Sequence, residues 1–87
     1  MERYLFRDNE ILTIDLHHMK EWEAVIYLDN TLKRVPSIIR EVVVIHGYHN
    51  GNRLLNMVRK EYKNSRIKSK FLSLNQGVTS LILNQED

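Results

Sequence analysis

From Ile11 to His17 apolar and polar positions alternate. Leu12, Ile14 and Leu16 share one face, and Ile11, Thr13, Asp15 and His17 share the other, which is the period of a strand. Over residues 20–35 the period changes. Ala24, Val25, Leu28, Leu32 and Val35 fall within an arc of about 100° and predict the core stripe of a helix. Val35-Pro36 ends it, because proline disfavours helical geometry in the residue before it. Trp22 and Ile26 are four apart and lie off the stripe. They read either as packing at the helix edge or as a small contact surface for a partner. Residues 40–46 hold the continuous run Val42-Val43-Val44-Ile45, which predicts a strand covered on both faces, as in a parallel sheet.

A second helix is expected over residues 53–63, with Asn52 as its N-cap. Leu54, Leu55, Val58 and Tyr62 point inward; Arg53, Asn56, Arg59, Lys60 and Lys63 point outward. Residues 67–74 and Val78–Leu83 then form a hairpin through the turn Asn75-Gln76-Gly77. Residues 1–10 show no clear period and read as an N-terminal arm or a short strand-like extension; residues 84–87 are a polar tail. The order β-α-β-α-β-β over residues 11–83 predicts an α/β domain of two layers (α+β). A strand–helix–strand unit crosses over right-handed, so the first two strands are expected to be parallel.

Composition narrows the picture. At 87 residues the chain is one domain, near the lower limit for burying a core unaided. It has no cysteine, hence no disulfide or thiolate metal site. No apolar run approaches a membrane span and the N-terminus shows no signal-peptide core, so a soluble cytoplasmic protein is expected. The net charge of +2 conceals an asymmetry. Residues 1–44 are net negative; residues 45–87 are net positive, with all their basic residues between Arg53 and Lys70. Such a cluster is the footprint of a phosphate-bearing partner, or else a solvated face.

The parallel arrangement brings the ends of both strands, with Asp15, His17 and His46, to one edge of the sheet. Open α/β sheets bind ligands at that carboxyl edge. The loop His46-Gly47-Tyr48-His49-Asn50-Gly51 follows there. Its glycines allow close approach of backbone N–H groups to a phosphate, its imidazoles suit acid–base work, and Tyr48 could stack on a base or ribose. The Lys-Ser/Thr pair of a nucleotide-hydrolase phosphate loop is missing. Four histidines with Asp15 could also gather a metal, but no HExxH-type motif is present. No metal ligand is assigned, and Mg²⁺ or Mn²⁺ is left open as a cofactor.

Three stretches carry a resemblance to a known family. Ile14-Asp15-Leu16-His17-His18 resembles the LDLHG motif of the small MutS-related (Smr) domain. Val44-Ile45-His46-Gly47-Tyr48-His49-Asn50-Gly51 resembles its V-I-H-G-x-G-x-G loop, and Gly77-Val78-Thr79 the G-V-T that opens its last strand. The resemblance implies a four-stranded mixed sheet with two helices on one face, similar to the C-terminal domain of translation initiation factor three. It also implies nucleic-acid binding and, in several members, nicking or cutting of DNA or RNA; others act near the ribosome. The sequence departs from the pattern at His18, which replaces glycine, and at Tyr48-His49, which replace Lys-Gly.

The expectation is therefore an Smr-type nucleic-acid-binding protein, monomeric or weakly dimeric, with endonuclease activity. Asp15, His17 and His46 would be its catalytic residues, with His17 or His46 as proton acceptor. Gly47, Tyr48, His49, Gly51, Arg53, Lys60, Lys63, Lys68 and Lys70 would be its nucleic-acid contacts. Two other readings stay open: a non-catalytic RNA-, DNA- or ribosome-binding module, and a protein–protein adaptor using Trp22 and Ile26.

Overall fold

The computed structural model describes residues 10–49 and 51–85, and the main chain of residues 4–7. The strands are β1 (Tyr4–Arg7), β2 (Ile11–Asp15), β3 (Glu41–Ile45), β4 (Ile67–Leu72) and β5 (Val78–Leu83). Helix α1 spans Glu21–Arg34, and α2 spans Arg53–Asn56 and runs directly into a π-helical segment, Met57–Glu61. The sheet order is β1-β2-β3-β5-β4. β2 and β3 are parallel and every other pairing is antiparallel. The expected four-stranded mixed sheet is thus present. β1 adds a fifth strand at the β2 edge, where the sequence left an arm or strand-like extension undecided; the side chains of Tyr4 and Phe6 lie outside the described residues.

Register fixes which side chains share a face. The rows Leu12–Val42–Leu81 and Ile14–Val44–Thr79 lie on one side, and all six side chains are buried. They pack with Ala24, Leu28 and Leu32 of α1 and with Met57, Val58 and Tyr62 of the second helical stretch in one core cluster. The rows Thr13–Val43–Ser80 and Asp15–Ile45–Val78 lie on the opposite side. There Val43 and Ile45 are only half-buried, which corrects the expectation that β3 is covered on both faces. The helices cover one face only.

Each helix end finds its partners. The Lys20 N–H donates to Glu23 Oε1 at 2.9 Å, a half capping box with no Ser, Thr, Asp or Asn. Glu21 and Glu23 sit in the first turn of α1, and Lys33 and Arg34 in its last, as the helix dipole favours. At the C-terminus Arg66 Nη1 donates to Leu32 O at 2.6 Å and Val35 O at 2.7 Å, satisfying carbonyls that the helix leaves unpaired. The Tyr62 hydroxyl donates to Asp29 Oδ1 at 2.6 Å, tying the π segment to α1. Burial, and then Asp29, push its pKa above the ordinary tyrosine range.

The second helix is not the regular α-helix the sequence predicts. Only Arg53–Asn56 is α-helical, and the Tyr62 N–H reaches back to Met57 O at 2.7 Å. A π turn takes one more residue than an α turn, so it rotates the positions beyond it. Met57, at the start of the π segment, lies in the core, whereas Leu54 and Leu55 are half-buried. Asn52 makes no side-chain cap.

Leu28 is fully buried and Ile26 is 51% exposed on the same helix. Leu28→Ala is expected to cost roughly 2–5 kcal/mol and Ile26→Ala no more than about 0.5 kcal/mol, as read by urea denaturation. Equal losses at the two positions would refute this assignment of the core.

Candidate functional site

The carboxyl ends of β2 and β3 open into a cleft of about 900 Å³. One lip is the β2–α1 connection, with Asp15, His17, His18 and Trp22; the other is the β3–α2 connection, with His46, Gly47, Tyr48, His49, Gly51 and Arg53. Asn50 lies outside the described residues. The two motif stretches therefore meet in space as the parallel crossover requires. At their junction Gly47 has φ +73°, and a Cβ placed on it would stand 3.6 Å from the Cβ of His17. Leu16 N–H donates to Ile45 O at 2.8 Å just beneath.

His17 is held by Asp15. Its backbone N–H donates to Asp15 Oδ1 at 2.9 Å, and its ring Nδ1 bonds the same oxygen. A carboxylate oxygen accepts, so Nδ1 carries the hydrogen and Nε2 bears the lone pair when the ring is neutral. Among the described residues no hydrogen bond engages Nε2. The side chain of His17 is 46% exposed and that of Asp15 is 14% exposed. The dyad thus combines a fixed tautomer with an accessible basic nitrogen. The His18 ring lies 4.4 Å from that of His17, and its φ of +70° suits the glycine found there in the Smr motif.

His46 is placed differently, with 3% of its surface exposed. Nδ1 bonds Gly47 O at 3.0 Å and Nε2 bonds Thr79 Oγ1 at 2.8 Å. Arg59 Nε donates to the same Thr79 oxygen at 2.7 Å. For the neutral ring these partners fix the tautomer. The Gly47 carbonyl can only accept, so Nδ1 carries the hydrogen; the Thr79 hydroxyl accepts from Arg59 and donates to Nε2. Burial lowers the pKa of His46; the Gly47 bond opposes that shift, and the Arg59 charge adds to it. A neutral ring with both nitrogens occupied does not fit the expected proton acceptor at this position.

Other expectations divide in the same way. Arg59, expected on the outward arc, turns inward, and its Nη2 also donates to Val78 O at 2.8 Å and to Ser73 O and Asn75 O at 3.3 Å. Three of the loop amides expected to face a phosphate are engaged within the fold. Those of His46 and Gly47 donate to Gly77 O at 2.9 and 3.0 Å, and that of Gly51 donates to Tyr48 O at 3.2 Å. Behind the loop stands one α turn, Arg53–Asn56, continued directly by the π segment. Tyr48 and His49 are exposed and stack with ring centroids 4.5 Å apart, and Arg53 is exposed at the cleft. Lys60, Lys63 and Lys68 are exposed but do not line the cleft. Lys70 also lies away from it, donates to Tyr62 O at 2.6 Å, and has its pKa lowered by burial and by Lys63.

Among the described residues no group of three or more His, Asp or Glu side chains converges, and Asp15 is engaged by His17. No helix among them is long and apolar enough to cross a membrane.

The fold and the cleft define a class: a two-layer α+β domain with a carboxylate-held histidine at the open edge of its parallel strands. No protein-family model and no curated protein sequence matches the chain. Among solved structures it is similar to the Smr domain of Thermus thermophilus MutS2, with a TM-score of 0.72 over 83% of this chain and 96% of that one, at 20% identity. In fold, the chain is an Smr-like domain.

The neutral His46 sets the direction of a pH effect. Its folded pKa is lower than its unfolded value, so its contribution is fully present above the ordinary histidine value of about 6.5. That contribution is lost as pH falls through the lowered folded value. Urea midpoints measured from about pH 7.5 to 5 should fall, and His46→Gln should flatten part of that slope. A slope unchanged in the variant would contradict the buried neutral ring.

Proposed function

We propose that this domain binds nucleic acid across the cleft and cleaves a phosphodiester there, with the Asp15–His17 dyad as the reactive group. One observation carries the reading. Asp15 holds His17 through Nδ1, while among the described residues no hydrogen bond engages Nε2, at a cleft that also presents Arg53, Tyr48 and His49. His17 Nε2 takes the proton from the attacking water or hydroxyl group as its oxygen bonds to phosphorus; the P–O bond to the leaving strand breaks and that oxygen takes a proton from solvent. Asp15 fixes the ring's tautomer and orientation, and Arg53 holds the phosphate. His46 is a positioning residue that braces the loop against β5. The likeness to the MutS2 Smr domain supports the fold on which this site is built. A general base of this kind supplies about 10²–10⁴-fold, and charge stabilisation by Arg53 adds to it.

A second reading has its own support. The amides of His46, Gly47 and Gly51 are already engaged, which leaves less of the loop to stabilise a phosphorane. A non-catalytic nucleic-acid-binding module would look the same in these features.

The test uses labelled supercoiled DNA and structured RNA in Mg²⁺, Mn²⁺ or EDTA. The unaltered chain should cleave at least one substrate. His17→Ala should lose about 10²–10⁴-fold in rate while binding stays within about twofold. Binding without cleavage in every condition would select the second reading, and cleavage undiminished in His17→Ala would remove the dyad from the mechanism.

A further inference from the structure

Trp22 is the chain's single tryptophan. It sits in the first turn of α1, 61% exposed, on the same lip of the cleft as His17. The sequence left it between edge packing and a protein-binding surface; the structure gives it a place beside the candidate reactive group. The stacked Tyr48–His49 pair belongs to the same cleft lining, with Tyr48 37% exposed. The cleft's fixed charges nearly balance, since Lys20 and Arg53 stand against Asp15 and Glu21. Phosphate attraction within the cleft is therefore weak, and the lysines that would add to it lie elsewhere. What the cleft offers in quantity is aromatic surface.

Resting on the function proposed above, we propose that Trp22 is a stacking platform for an unpaired nucleobase, so that the strand engaged at Asp15–His17 is single-stranded where it crosses the cleft. Bases stack on aromatic side chains through faces that a duplex keeps covered by neighbouring base pairs. An exposed indole beside a nearly charge-neutral cleft discriminates in favour of a strand whose bases are free. Every base has such a face, so the contact carries no sequence preference and serves DNA and RNA alike.

The lone tryptophan makes the test direct. The full chain is titrated with a single-stranded DNA hexamer, the same sequence as RNA, an abasic strand of equal length, and a blunt duplex, following intrinsic fluorescence and binding together. Both base-bearing single strands should quench the fluorescence; the abasic strand and the duplex should not. Trp22→Ala should weaken single-strand binding roughly 5- to 150-fold, the range spanned by loss of one base–aromatic stack. It should leave duplex binding unchanged, and Trp22→Phe should restore most of the affinity. Equal single-strand affinity in Trp22→Ala, or equal quenching by the abasic strand, would overturn the stacking role. If one sugar alone quenches, the claim that DNA and RNA are served alike falls. Absence of binding by any of the four would overturn the proposed function itself, and the stacking role with it.

Discussion

The Arg59 guanidinium ties together the elements behind the glycine loop of the cleft. It leaves the π-helical segment, crosses to the end of the sheet and donates to Thr79 and to the carbonyls of Ser73, Asn75 and Val78. Through Thr79 it reaches His46, and through His46 the carbonyl of Gly47. The second helical stretch, the β4–β5 turn, the start of β5 and the glycine loop are joined by one chain of hydrogen bonds. Hydrogen bonds to charged donors are stronger than neutral ones. Such a chain is rigid when fully satisfied and costly when broken. Among the described residues no buried side-chain nitrogen or oxygen lacks a partner. The loop is thus braced from inside the fold, and Gly47 is set against His17 from that side.

This bracing gives the two motif histidines different work. Both end strands of a parallel pair, both resemble family motif positions, and both can bind a proton. His46 is sealed between Thr79 and Gly47 as a neutral ring. Among the described residues His17 is anchored at one nitrogen only, and it is half-exposed. The difference arises from the neighbours: one ring lies over β5, the other at the rim beside a carboxylate two residues earlier. A site on rigid strand ends keeps its geometry better than one on a free loop, and here the strands fix the dyad while the network fixes the loop.

The strand periods, the core stripe of α1 and the crossover were legible in the chain because each depends on neighbours in sequence. The meeting of Asp15, His17 and the glycine loop followed from topology alone. What could not be read depends on contacts between distant residues. Arg59 and Arg66 belong to a basic run whose charge suggests a solvated or phosphate-facing surface, yet both satisfy carbonyls from within. Side-chain charge does not reveal whether a guanidinium faces water or a ring of carbonyl oxygens. The π turn at Met57–Glu61 has a similar origin, since nothing local in Met57-Val58-Arg59-Lys60-Glu61 departs from helix-forming composition. The role of Trp22 was obscured because its position off the stripe fits an edge contact as well as a cleft wall.

The division of labour between the two rings is open to one direct measurement: long-range ¹H–¹⁵N imidazole correlation spectra of the folded chain, recorded as pH is lowered from neutral. The expected result is that the neutral ring of each histidine carries its hydrogen on Nδ1, and that His46 protonates at a lower pH than an ordinary histidine. A neutral His46 ring that carries its hydrogen on Nε2, or a His46 that protonates at or above the ordinary histidine value, would contradict the division of labour.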